Sequence, residues 1–121
     1  MGYKMADTIF KKIIDKEIPA DIVYEDDDVL AFKDISPQAP IHILVIPKQE
    51  IATLNELDES HDILTGKIIR IASMIAKKEG IDKDGYRLVM NCNEHGGQTV
   101  FHIHCHLIGG RSLQWPPGWS W

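Results

Sequence analysis

Gln98-Thr99-Val100-Phe101-His102-Ile103-His104-Cys105-His106-Leu107-Ile108 carries three of the chain's six histidines at every second position. A period of two is a strand pattern. It predicts His102, His104 and His106 on one face, begun by Val100, and Phe101, Ile103, Cys105 and Leu107 on an apolar opposite face. A buried imidazole needs partners for both ring nitrogens, so three in a row multiply that demand without improving packing. The row therefore calls for a functional explanation.

Upstream of this stretch, Tyr86-Arg87-Leu88-Val89-Met90 reads as another strand, and Asn91 to Gln98 as a polar loop containing Gly96-Gly97. Ile41-His42-Ile43-Leu44-Val45-Ile46 is a nearly continuous apolar strand ended by Pro47, expected to be buried on both faces. His42 stands at its entrance. Before it, Asp34-Ile35-Ser36-Pro37-Gln38-Ala39-Pro40 is a loop stiffened by prolines. Ile22-Val23-Tyr24 and Val29-Leu30-Ala31-Phe32 flank Asp26-Asp27-Asp28 as a hairpin whose acidic turn reads as solvated, since it lacks the ligand spacing of a calcium loop.

Two stretches have helical spacing. Thr8 to Ile18 sets Ile9, Phe10, Ile13 and Ile14 on one side, with Asp7 or Thr8 as cap and Pro19 as stop. Ser60 to Glu79 carries the stripe Leu64, Ile68, Ile71, Ala72 and Ile75, and Gly80 suits a left-handed cap. His61, at the polar start of this helix, reads as a solvated group. These elements predict a single α+β domain with a five-stranded, mainly antiparallel sheet and two main helices.

The 121 residues suit one domain, and 44% hydrophobic with 26% charged residues is an ordinary globular balance. A formal net charge of −5 argues against broad binding to nucleic-acid backbones but leaves room for one small phosphorylated ligand. Cys92 and Cys105 form neither a metal-type pair nor a disulfide framework, and Cys105 reads as a buried thiol. No run approaches the roughly 20 apolar residues of a membrane span. Met1 to Met5 lacks the apolar core of a signal peptide, so a soluble, cytoplasmic protein with no membrane partner is expected.

Chemically, the imidazole row admits four uses: polar packing, a metal site, nucleophilic catalysis at phosphorus, or nucleotide binding without turnover. Same-face strand residues lie roughly 6.6–6.8 Å apart, too far for three imidazoles of one strand to share one ion comfortably. Zinc, with His42 as a third ligand, is therefore admitted but not favoured, and no cofactor is required. Neutral imidazole is a good nucleophile near neutral pH. His104 has a histidine on either side, and Gly96-Gly97-Gln98-Thr99 supplies amide and hydroxyl donors for a phosphate. The nucleophilic reading is the favoured one.

These residues, together with Asp34 to His42, Leu44-Val45-Ile46-Pro47-Lys48, Asn91 and Gly109-Gly110-Arg111 through Trp115-Pro116-Pro117-Gly118, resemble the Hint branch of the histidine-triad superfamily. The likeness runs from about Asp7 to Gly118, leaving a short N-terminal extension and Trp119-Ser120-Trp121 outside it. The resemblance implies a homodimer with sheets joined across the two-fold axis. It also implies hydrolysis of purine nucleoside phosphoramidates through a nucleotidyl-histidine intermediate. By position it makes His104 the nucleophile, His106 a phosphate-binding partner, and His102 with His42 a supporting hydrogen-bond and proton-relay pair. Asn91, Gln98 and Thr99 would line the phosphate and leaving-group region. Asp34 would hold the ribose, and Ile9, Phe10, Ile13, Phe32, Ile35 and Leu44 would wall the base. Trp115 is expected near the partner's site. His95 departs from the branch's usual shorter residue. A related branch that hydrolyses diadenosine polyphosphates is the alternative enzyme class.

Overall fold

The computed structural model describes residues 7–118; the extension before Asp7 and the Trp119-Ser120-Trp121 tail lie outside it. In chain order the elements are α1 (Ile9–Ile14), β1 (Ile22–Glu25), β2 (Val29–Lys33), β3 (Ile41–Pro47), α2 (Asp62–Lys78), β4 (Tyr86–Val89), α3 (Asn93–Gly96) and β5 (Cys105–Gly109). The five strands form one sheet in the order β1-β2-β3-β5-β4, with every neighbouring pair antiparallel. β5 inserts between β3 and β4, so the chain leaves β3, crosses through α2 to the edge, and returns inward. Among the described residues, no helix is long and apolar enough to cross a membrane.

The sheet has two unequal faces. On one, Ile68, Ile71, Ala72, Ile75 and Ala76 of α2 pack on Val29, Ala31, Ile43, Val45, Cys105 and Leu107. The helical stripe expected from sequence is this contact, with Leu64 at its margin. On the other, Phe10 and Ile13 of α1 cover only Leu30, Phe32, Leu44 and Ile46. Because α1 has six residues, it reaches β2 and β3 but leaves the β5–β4 half of its face open. β3 lies at the centre, and all but its first residue are buried, as its apolar run predicts.

Local chemistry sets the helix ends. The Thr8 hydroxyl accepts from Lys11 N–H at 3.1 Å and caps α1. That helix is shorter than its pattern: it stops at Ile14, well before Pro19, because Lys16 turns left-handed at φ 63° and its ammonium pairs with Glu25 at 2.7 Å. Ahead of α2, Asp58 accepts from Ser60 N–H while His61 Nδ1 accepts from Asp58 N–H, a reciprocal capping box. His61 is thus a half-buried cap and not a solvated group. Gly80 closes α2 at φ 77°, where a side chain would be strained.

Three further expectations change. The Asp26-Asp28 turn is clamped: Asp26 accepts from the amides of Asp28 and Val29 and from the Tyr24 hydroxyl, and Lys67 pairs with Asp26 and Asp28 at 2.9 and 3.0 Å. Burial works to raise the Asp26 pKa, but these donors outweigh it and hold the carboxyl well below its usual range. The polar loop from Asn91 contains the short helix α3. The histidine stretch is strand only from Cys105, and Phe101, half exposed, does not join the apolar face.

Ile71 is fully buried between α2 and the sheet. Ile71→Ala should lower unfolding free energy by about 2–5 kcal/mol, from lost burial plus the residual cavity. Urea denaturation measures it; a loss below about 1 kcal/mol would mean the site collapses around the smaller side chain.

Candidate active site

The imidazoles gather although, of the three in the His-x-His-x-His run, only His106 lies on a strand. His106 sits in β5, and the register pairs Leu44 with His106 and His42 with Ile108. All four side chains therefore point to the face that α1 leaves partly open. Before β5 the chain leaves the ladder: Ile103 N–H donates to the Ile51 carbonyl at 2.8 Å, and His102 Nε2 lies 2.7 Å from the Pro47 carbonyl. This cross-tie to the segment after β3 replaces strand pairing. It still brings the His104 and His106 ring centroids to 4.9 Å and those of His42 and His106 to 5.1 Å.

Hydrogen-bond partners assign the tautomers. The carbonyl of His102 only accepts, so His104 Nδ1, 2.8 Å away, carries the proton, and its Nε2 keeps a free lone pair. The Gln38 amide only donates, so His42 Nδ1, at 3.0 Å, is the acceptor. The His42 proton is then on Nε2, 2.9 Å from His106 Nδ1. His106 must accept there, and its own proton sits on Nε2. A lone pair on one ring and an N–H donor on its neighbour are the result.

His42 therefore pairs with His106, which corrects the expected His42–His102 relay. His102 is 1% exposed; its ring donates to Pro47, and its contribution to His104 is the backbone carbonyl. Desolvation lowers the pKa of His102, His104 and His106, partly offset at His102 and His104 by their carbonyl partners. His106 falls furthest, to about 4, because His104 and His42 add to desolvation while Asp34 opposes it. Phe10 seals the inner side, its ring edge-on to His104 at 5.0 Å. Cys105, buried on the other face, has its thiol pushed up to about 11 by desolvation and is chemically quiet.

Around this core the remaining residues divide. Asp34 Oδ1 accepts from Ser36 N–H at 2.7 Å, and Oδ2 lies 3.5 Å from His42 Nε2, so a carboxylate borders the imidazoles. Phe10, Ile13, Phe32 and Leu44 are core first, while Ile9 and Ile35 are exposed. Gln98 is not free for a ligand: its Nε2 donates to the Ala52 and Val100 carbonyls, and its Oε1 accepts from Asn93 N–H. It buckles the α3 loop to the body of the protein. Thr99 is exposed at the rim, Asn91 is half-buried, and His95 projects from the end of α3. Trp115 is exposed beneath the Arg87 guanidinium, against a cavity of about 990 Å³ bordered by β4 and the tail, and the histidines do not line it.

Among the described residues, Asp34, His42 and His106 bring ligand atoms within 4.8 Å of one another, the best metal candidate by type. The donors do not fit one as they stand. His42 Nδ1 is engaged by an amide N–H, so freeing Nε2 for an ion would require an imidazolate. The 2.9 Å between Nε2 and His106 Nδ1 is also shorter than the about 3.3 Å that two tetrahedral zinc–nitrogen bonds subtend.

Sequence reasoning missed the groups that orient the rings, namely the Gln38 amide and the His102 and Pro47 carbonyls. Backbone groups have no residue-type signature.

The HIT domain family model matches residues 15–113. A purine nucleoside phosphoramidase of Escherichia coli is 60% identical over 107 residues, covering 88% of this chain and 90% of its own. A 14 kDa zinc-binding protein of Brassica juncea is 54% identical over 114 residues, covering 93% of this chain and all of its own. Among solved structures, a HIT family hydrolase from Legionella pneumophila superposes with a TM-score of 0.91 at 51% identity, covering 93% of this chain and 100% of its own.

The lowered imidazole pKa values carry a pH dependence of stability. Below pH about 6.5 the unfolded chain protonates these histidines while the folded protein does not. Stability should be full above that value and fall with pH, the His106 share running down to about 4. Thermal unfolding between pH 7.5 and 5 should show a falling midpoint, with a shallower slope in His106→Asn. Equal slopes would mean His106 titrates normally in the folded protein.

Proposed function

The chain belongs to the HIT domain family, and from that premise we propose that it is a purine nucleoside phosphoramidase, hydrolysing nucleoside 5′-phosphoramidates to the monophosphate and an amine. The observation that carries the reading is the pair of oppositely set rings: a free Nε2 lone pair on His104 beside an outward Nε2–H on His106. The family relationship and the 60% identity to the E. coli phosphoramidase support the substrate class.

In this reading His104 Nε2 attacks the α-phosphorus, and the P–N bond breaks as the amine leaves with a proton from solvent. In the nucleotidyl-histidine the ring is an imidazolium, balanced by the negative phosphoryl oxygen, and its Nδ1–H is already held by the His102 carbonyl, so the ring's positive charge forms against a fixed dipole. His106 Nε2–H donates to a phosphoryl oxygen. The His42–His106 pair works as a fixed donor and not as a proton source, because a proton passed outward could not be replaced at His42 Nδ1. Water then attacks phosphorus on the open side and frees the monophosphate. Asp34 accepts from the ribose hydroxyls, Phe10 with Ile9 and Ile35 borders the base, and Thr99 and Asn91 lie toward the leaving group. The zinc-binding name of the Brassica relative is not carried over, since the donor set here opposes an ion, and no step passes through a metal.

A homodimer joined at β4 completes the proposal. β4 is a sheet edge with partly exposed residues, and exposed Trp115 lies on the same flank. Exposed edge strands pair readily. Sedimentation equilibrium should give twice the protomer mass; a monomer at micromolar concentration would refute the joined sheets.

His104→Ala should cut turnover of adenosine 5′-phosphoramidate at least about a thousandfold and abolish acid-quench trapping of a nucleotidyl-protein adduct. Asp34→Ala should raise KM with less effect on kcat. Full turnover in His104→Ala removes the mechanism, and faster cleavage of diadenosine triphosphate than of the phosphoramidate removes the substrate class.

A further inference from the structure

The orientation of the site depends on one peptide amide, and that amide belongs to a residue gripped from both sides. Gln38 N–H donates to His42 Nδ1 at 3.0 Å, and the carbonyl of the same residue accepts from Arg111 Nη2 at 2.9 Å. Arg111 arrives there through a close packing of two distant segments. A Cβ on Gly110 would stand 2.9 Å from Pro40 Cβ and 3.3 Å from Pro40 Cγ, so glycine lets the turn after β5 press onto the 34–40 loop. Gly110 also has φ 90°, a conformation that a side chain disfavours.

Few other contacts could hold Gln38 in place. Its side chain only reaches back to the Ser36 carbonyl at 2.9 Å, a tie internal to the loop. Pro37 and Pro40 have no amide proton to donate. The Asp34 contacts anchor the loop's first turn, through Asp34 N–H to the His42 carbonyl and Ser36 N–H to Asp34. The Arg111 guanidinium is the contact that binds the Gln38 segment to the strand carrying His106. Among the described residues Arg111 has no carboxylate partner, and its Nη1 donates to the Ser112 carbonyl at 3.1 Å.

We infer that Arg111 is a positioning residue for the active site: by holding the Gln38 carbonyl it keeps the Gln38 amide on His42 Nδ1, which fixes His42 and His106 as Nε2–H tautomers with the His106 donor facing outward. Arg111 touches neither the rings nor any place assigned to the nucleoside. Without it the loop relaxes, the amide drifts from Nδ1, and His42 can take its proton on either nitrogen. His106 then presents a lone pair outward in part of the population, which repels a phosphoryl oxygen instead of binding it.

The kinetic half of the test rests on the phosphoramidase reading; the spectroscopic half does not. Arg111→Ala and Arg111→Lys are compared with wild type on adenosine 5′-phosphoramidate, and ¹⁵N-imidazole spectra report the tautomers of His42 and His106 in the same proteins without substrate. Arg111→Ala should lower kcat about tenfold with KM changed less than about twofold, and should show His42 and His106 signals shifted from pure Nε2–H toward mixed tautomers. Arg111→Lys, which keeps a donor within reach of the carbonyl, should restore most of the kcat and the wild-type signals. Wild-type tautomers in a folded Arg111→Ala protein overturn the assignment, as does failure of lysine to restore them. Should Arg111→Ala fail to fold, Arg111→Met, which keeps an apolar stem without the donor, takes its place and is read by the same spectra and kcat against Arg111→Lys. A wild type inactive on phosphoramidates but with the expected tautomer shifts refutes the substrate reading and leaves Arg111 in its role.

Discussion

His42 enters the central strand with its Nδ1 against an amide hydrogen, and His104 lies with its Nδ1 against a carbonyl oxygen. An amide can only donate and a carbonyl can only accept, so each contact admits one tautomer of a neutral ring. The two histidines therefore carry opposite patterns, and the pattern passes from His42 to His106 across 2.9 Å. What distinguishes a nucleophile from an anion donor here is the backbone atom behind each ring. Two of these contacts are local, Gln38 lying four residues before His42 and His102 two before His104, while the Pro47 carbonyl meets the His102 ring from 55 residues away.

The unequal faces of the sheet make this affordable. The α2 side is a dry core of isoleucine, alanine and valine that carries most of the burial. The α1 side is covered by a helix of six residues against seventeen in α2, so four imidazoles occupy a place that apolar side chains would otherwise fill. Their burial disfavours the charged forms, and the hydrogen bonds to carbonyls and amides offset the loss of water. Cys105 and Leu107 alternate with His106 along β5, so a single strand serves the dry core with one set of side chains and the site with the other.

Much of the architecture was legible in the sequence because it rests on periodicity. The isoleucine stripe of α2, the two-sided burial of β3, the Thr8 cap and the left-handed Gly80 all follow from residue type and spacing. The His-x-His-x-His spacing named the right residues for an incomplete reason. Only His106 is in a strand, while His102 and His104 are aligned by the tie of Ile103 to Ile51 and of His102 to Pro47, contacts between segments some fifty residues apart. Gln98 shows the opposite error. An amide side chain beside Gly96-Gly97 suggested a ligand donor, yet Gln98 is buried and both of its N–H donors are taken by carbonyls, a fact no local pattern carries. The early stop of α1 likewise comes with the left-handed turn at Lys16, a residue type that carries no signal for that conformation.

Desolvation of His104 invites the reading that the site lowers its pKa to keep the nucleophile unprotonated, and magnitudes argue otherwise. At pH 7 an imidazole of ordinary pKa 6.5 is already about three-quarters neutral, so any lowering can add at most about a third more nucleophile. A lower pKa also makes the lone pair less basic, which works against attack. The advantage lies after attack begins. With Phe10 edge-on to the ring and water kept from its inner side, the bond from Nδ1–H to the His102 carbonyl strengthens as positive charge develops, since fewer solvent dipoles compete with it. The same burial that weakens His104 as a base thus makes its one fixed carbonyl partner count for more in the transition state, and the dry setting is better understood as serving the charged intermediate than the neutral ground state.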